Sequence, residues 1–237
     1  MKENHDFPSC VMVGDGTLFP LEYAPQSNDS GDYSGRKYKY SITCFIMNDD
    51  QKRIRSYLAG WPGSVHDNRV FKKTDVFQHP ETYYSPGQYM LTDSAVDNSD
   101  YLIAAFKKPR LQVMPVMNKQ FNTKLARVRI SSEHTIGILK GRFPWLKGIS
   151  NLLTDDKKHM IRILKLIDCC VILHNILLDF EKKPHPEQDT WLEEIDADDI
   201  ENDFAGENLT CSIGTGNRKD ERRRQLQTYL EFKEYIA

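Results

Sequence analysis

The chain has 237 residues, 39% of them hydrophobic, with 32 Lys and Arg against 34 Asp and Glu and a formal net charge of -2. That length holds one large domain, or one domain and a tail, with ample core; no apolar run approaches a membrane span, and no signal peptide opens the chain. The five cysteines form no CxxC pair and no Cys/His ligand spacing, so reduced, intracellular thiols are expected and a structural zinc is not.

In chain order, Val11 to Val13 form a short apolar strand that stops at Gly14-Asp15-Gly16. An Asp between two glycines reads either as a turn or as a carboxylate exposed at a strand end. Residues 21–37 are polar and turn-rich, a loop. Tyr38 to Met47 and Arg53 to Gly60 form a hairpin across Asn48-Asp49-Asp50. Ser64 and Asp67 resemble a capping box opening a helix that runs to about Phe77. Capping is a complete structural account of Asp67, and a role near a site competes with it. Gln88 to Thr92 is a further strand, and again an Asp, Asp93, sits where it stops. Ser99 to Ala105 reads as a short helix with Ser99 as N-cap, and Phe106 to Met117 as irregular.

A long helix is expected from Asn122 to Arg142, N-capped by Asn122 and stopped by Gly141 and Pro144. At about 100° per residue, Arg129, Glu133, Gly137 and Lys140 share one of its faces, beside an apolar stripe of Ile136, Leu139 and Phe143. Thr154 caps a second long helix, Asp155 to Phe180, whose apolar content marks it as a core element. His174 on that helix is expected to be a satisfied core group. Lys182 to Asn217 is an acidic, Gly/Pro-punctuated linker or irregular wrap, and Arg218 to Ile236 a terminal helix expected to dock through Leu226, Tyr229, Leu230 and Phe232 to Tyr235. The division is therefore residues 1–180 as a domain and 181–237 as linker and C-terminal helix.

Charge is unevenly spread. From Phe106 to Lys165 only Glu133, Asp155 and Asp156 oppose a long series of lysines and arginines, whereas acids outnumber bases from Glu181 onward. A basic body with an acidic tail fits a polyanion partner, or equally a charged surface with no partner. Two strand-end Asps and a Glu from a packed helix can converge at one sheet edge. Clustered carboxylates repel unless cations neutralise them, and hard divalent metals with oxygen ligands do this best. Two such ions about 3.5–4 Å apart serve in-line phosphodiester displacement, with nearby Arg and Lys holding a nucleic-acid backbone. No Ser or Cys nucleophile motif and no glycine-rich phosphate loop supports a metal-independent enzyme.

Seven segments carry a family resemblance: GDGTLFPL (Gly14 to Leu21), GRKYKYSI (Gly35 to Ile42), GWPGSVHDNRVF (Gly60 to Phe71), LTDSA (Leu91 to Ala95), FKKPR (Phe106 to Arg110), FNTKLARVRISSEHTIGILKGRF (Phe121 to Phe143) and CCVILHNI (Cys169 to Ile176). In this order, over roughly residues 8–180, the chain resembles the DDE domain of PIF/Harbinger-type transposases. The resemblance implies an α/β fold, a ribonuclease H-like mixed sheet flanked by helices, here with a C-terminal helical tail. It further implies Mg²⁺- or Mn²⁺-dependent DNA cleavage and strand transfer, with two ions, by a triad of Asp15, Asp93 and Glu133. Asp67 is a fourth ligand or a supporting residue, and an alternative middle member. Arg127, Arg129, Lys140 and Arg142 are the expected DNA-backbone contacts. A Myb-like DNA-binding partner, a nuclear location and a homo-oligomer come with the family.

There are departures. Val96-Asp97 stands where the family often has Tyr-Pro, Ser131 stands two before Glu133, and Ser132 replaces a usual small apolar residue. Asp15 lies almost at the start, whereas full-length transposases carry a helical DNA-binding region before the first Asp. A domesticated, catalytically silent module that binds DNA or protein is therefore the competing expectation.

Overall fold

The computed structural model describes residues 6–27, 29–34, 40–108, 113–180, 223–224 and 226–228. Its centre is a five-stranded mixed sheet: β1 (Cys10–Pro20), β2 (Ser41–Asn48), β3 (Ile54–Pro62), β4 (Tyr89–Thr92) and β5 (Leu102–Ala104), in the order β3-β2-β1-β4-β5. β1, β2 and β3 pair antiparallel, while β4 runs parallel to both β1 and β5. The helices are α1 (Asp67–Phe71), α2 (Asp75–Gln78), α3 (Pro80–Tyr83), α4 (Val116–Arg142) and α5 (Lys157–Phe180). This is the helix-flanked mixed sheet expected of a ribonuclease H-like domain. No helix among the described residues is long and apolar enough to cross a membrane.

The period-2 alternation of a strand gives the sheet two buried faces. Ile42, Cys44 and Ile46 of β2 pack with Leu139, Ile163, Ile167 and Val171 from α4 and α5. Phe45 and Met47, pointing the other way, pack with Val70, Phe71 and Val76 from α1 and α2. A third cluster joins Tyr89, Leu91 and Ile103 to Phe121 and Leu125 on the N-terminal half of α4. Each fully buried side chain of this size contributes about 1.5–3 kcal/mol, so α4 is anchored to the sheet at both ends.

Several expectations change. The strand predicted to stop at Val13 continues through Asp15 to Pro20, because Gly14 to Pro20 pair in register with Met47 to Ser41. The Ser64-to-Phe77 helix is broken: Thr74 donates its hydroxyl to the Phe71 carbonyl (2.7 Å) and accepts from the Phe77 amide (3.3 Å), closing α1 and capping α2. The N-cap of α1 is His66, so Ser64 caps nothing. The segment read as a helix after Ser99 contains β5. Ser99 makes a tight turn there, its hydroxyl accepting from the Tyr101 amide and its own amide donating to the Leu102 carbonyl. Finally, α4 begins at Val116 rather than Asn122. Asn122 instead binds the backbone of Phe106 with both halves of its amide (2.8 and 2.9 Å), tying the end of the β5 segment to the helix.

Asn175 does the same for β3, accepting from the Ile54 amide and donating to its carbonyl. α5 starts at Lys157 rather than Asp155, and its cap position is Asp156, whose carboxylate accepts the Lys158 amide (2.9 Å); Thr154, two residues earlier, accepts from the Asp156 amide instead of capping the helix. Beyond Phe180 the linker lies outside the described residues. Of the terminal helix, Leu226 packs on the third cluster and Arg223 lies over the Phe106 ring; Tyr229, Leu230 and Phe232 to Tyr235 lie outside the described residues.

Candidate active site

Strand register brings the first two carboxylates together. Val13 of β1 is opposite Leu91 of the parallel β4. Two residues further along each chain come Asp15, still in β1, and Asp93, just past the last residue of β4. Parallel neighbours keep step, so the two side chains start from adjacent positions on one sheet edge. Asp93 folds its chain away by accepting the Ala95 amide (3.0 Å).

The flanking glycines serve neighbours rather than a turn. A Cβ on Gly14 would strike Met90 and Phe45, and one on Gly16 would overlap the Asp67 carboxylate. Asp67, the first residue of α1, thus lies directly against β1 in the space that Gly16 leaves. Alternation along β1 points Asp15 toward α4 and leaves Gly14 and Gly16 on the α1 side.

Glu133 comes from α4. Small polar residues seat this part of the helix close to the sheet. Ser132 and Thr135 are fully buried, Thr135 donates to the Ser131 carbonyl (2.8 Å), and the Asn48 amide reaches the Ser131 hydroxyl (3.4 Å). Two turns on, the Lys140 ammonium donates to the Leu18 carbonyl of β1 (2.9 Å) and lies 5.6 Å from the centre of the Phe19 ring. Its burial lowers its proton affinity.

The electrostatics centre on Asp15. Its side chain is 16% exposed, and a guanidinium nitrogen of Arg129, itself 12% exposed, lies 3.5 Å away. Burial chiefly, and then the charges of Asp93, Asp67 and Glu133, push the Asp15 carboxyl up to about 7, while Arg129 pulls it down. So the charges of the other three acids expected at the site all reach Asp15. Among the described residues, however, no three His, Cys, Asp or Glu side chains converge closely enough to hold one ion. The donor set nonetheless fits a hard divalent cation: it is all carboxylate oxygen, it draws on β1, β4, α1 and α4, and its crowding already disfavours a bare charge on Asp15.

The four cations expected to face DNA take different positions. Arg127 is exposed on α4. Arg129 turns inward to Asp15, and Lys140 is engaged with Leu18. Arg142 bonds the Nδ1 atom (3.2 Å) and the carbonyl (3.3 Å) of His174. The His174 ring is buried and its Nε2 atom bonds the Lys52 carbonyl (2.9 Å), so it is a satisfied core group. Sequence reasoning did not foresee the Asp15–Arg129 pair or the Gly16–Asp67 contact. The signal for the first was the four-residue spacing of Arg129 and Glu133 on one helical face, which sends both to the same place.

Residues 14–175 match the family model described as DDE superfamily endonuclease. The chain is 26% identical over 172 residues to the mouse protein named "Putative nuclease HARBI1", covering 73% of this chain and 47% of that protein. It is 25% identical over 156 residues to the human protein of the same name, covering 66% and 42%. It is 23% identical over 159 residues to the Arabidopsis thaliana protein named "Protein ALP1-like", covering 63% and 38%. The chain thus spans less than half the length of these relatives. No solved structure matches it.

Proposed function

Because the chain belongs to the DDE superfamily endonuclease family, we propose that it is a divalent-metal-dependent nuclease domain that cleaves DNA phosphodiester bonds and transfers strands. Asp15, Asp93 and Glu133 hold the metal, and Asp67 supports them from the start of α1. The observation that carries this reading is the register that sets Asp15 beside Asp93, together with the influence of the other three acids on Asp15.

Two Mg²⁺ or Mn²⁺ ions, when bound, supply an activated water or hydroxyl and stabilise the leaving oxygen. The chain's own residues place the carboxylate oxygens. β1 and β4 fix Asp15 and Asp93 at one edge, and α4, anchored through Lys140 and its buried Ser132 and Thr135, carries Glu133, whose charge reaches Asp15. Asp93 favours the middle position because it is the strongest acidic influence on Asp15, ahead of Asp67. Arg127, exposed on α4, binds the DNA backbone. The Myb-like partner and the nuclear location belong to this proposal through the transposase resemblance.

Calorimetric titration with Mn²⁺ and Mg²⁺, on wild type and Asp15→Asn, tests the site without needing a DNA partner. Binding that disappears in Asp15→Asn supports it. Equal weak binding by both favours the second reading, a catalytically silent module, which also predicts partner binding indifferent to Glu133→Gln. That reading draws on the carboxylates' lack of convergence among the described residues.

A further inference from the structure

The Arg129 guanidinium is the least expected occupant of this site. A cation on a surface helix ordinarily extends into water, as Arg127 does two residues earlier. Arg129 is instead nearly buried, 3.5 Å from Asp15. Burying a guanidinium without a counter-charge is strongly unfavourable, so the acids hold it there as much as it holds them. One helical turn separates it from Glu133, so α4 delivers the cation and the third carboxylate to the same edge. A guanidinium also stays protonated at any working pH. Unlike a lysine, it cannot leave the carboxylates unopposed by shedding its proton; it has to move.

We propose that Arg129 is the resident counter-cation of the carboxylate cluster and competes with the divalent ion for Asp15, so that metal enters by displacing the guanidinium. The inference rests on the metal-site reading above and adds a positioning residue which that reading does not require. Its consequence is a site in which Asp15 keeps a counter-charge, and binds metal weakly, until the ion or a phosphate offers Asp15 or Arg129 a better partner. It also places a cation beside the one acid whose charge the other three all act on.

The alternative is that Arg129 aims Asp15 at the metal and helps it bind. The two predict opposite signs. An opposite charge at this range changes a carboxylate's affinity for a proton by about ten- to a thousandfold, and a competing metal ion feels the same obstacle. Mn²⁺ titration by calorimetry on wild type, Arg129→Gln and Arg129→Lys reads the sign directly. Competition predicts that Arg129→Gln binds Mn²⁺ at least about tenfold more tightly than wild type, with Arg129→Lys between them. Equal or weaker binding by Arg129→Gln, with wild type still binding, overturns the inference and leaves the metal site standing. Binding by neither protein overturns both.

Should the variants fail to fold, wild type alone decides the matter. The Arg129 Nε–H resonance, assigned by sequential connectivity, shifts on Mg²⁺ addition if the guanidinium is displaced. A resonance that stays in place while calorimetry shows the ion binding refutes displacement.

Discussion

Asp15→Asn should stabilise the protein in chelator at pH 8, although it removes a residue proposed to be essential. The carboxyl titrates near 7 in the folded chain against an ordinary value of 3.8. A raised carboxyl pKa means that the folded state holds the proton more tightly, so stability is highest below pH 4 for this group and is lost as pH rises through 7. Three pK units correspond to about 4 kcal/mol as an upper limit. The Asn variant, uncharged like the protonated carboxyl, escapes that cost; the weaker partner it offers Arg129 is already contained in the shift, which is net of the Arg129 attraction. The gain at pH 8 is therefore up to about 4 kcal/mol, at about 2–4 °C in melting temperature per kcal/mol for a chain of this size. Scanning calorimetry of both proteins between pH 5 and 8 should show the gap widening with pH. Added Mn²⁺ should then raise wild type alone, since a ligand stabilises only the fold that binds it. A gap of constant size across that range, or an Asn variant that melts lower at pH 8, refutes the account of a strained carboxylate cluster.

The glycine after Asp15 makes a separate prediction. Gly16→Ala should destabilise by about 1–3 kcal/mol, because its methyl needs the space of the Asp67 carboxylate, and Asp67→Ala in the same chain should recover most of the loss in a double-mutant melt. Asn122→Ala strips both backbone partners from Phe106 and should cost about 2–4 kcal/mol by chemical denaturation. Lys140→Met should lower stability through the orphaned Leu18 carbonyl. Arg127→Gln, by contrast, should leave the melting temperature within about 1 °C while weakening DNA binding and reducing its salt dependence by about one ion, as a fluorescence anisotropy series in salt will show.

The hairpin, α5 and the far end of α4 were legible because their signals are local: alternation over Tyr38 to Met47, an apolar run after Thr154, and Pro144 just beyond the last helical turn, whereas Gly141 lies inside the helix and does not stop it. Where reading failed, a long-range partner outvoted a local preference. Asn122 looks like an N-cap, but the Phe106 backbone, sixteen residues away, claims its amide. Ser99 looks like another, but Leu102 and Ile103 are buried in a parallel edge strand beside β4. Thr74, unremarkable in sequence, splits one expected helix into two.

Gly14-Asp15-Gly16 is the most instructive failure, because the local signal and the tertiary answer oppose each other. Glycine weakens a strand interior and a buried Asp weakens it further, so the triplet reads as the end of β1. The sheet tolerates all three residues because each leaves or fills a particular space. Gly14 lets Met90 and Phe45 close over the strand, Gly16 admits the Asp67 carboxylate, and Asp15 finds Arg129 on the opposite face. Each of these partners lies 29 residues or more from the triplet. A strand that gives up side-chain packing at its centre to carry a carboxylate, and then needs a distant arginine to hold that charge, is locally unfavourable by design of the whole sheet. Such a conflict between local preference and fold is what a functional site leaves in a sequence. It is also why Asp15 could be singled out early while its environment could not.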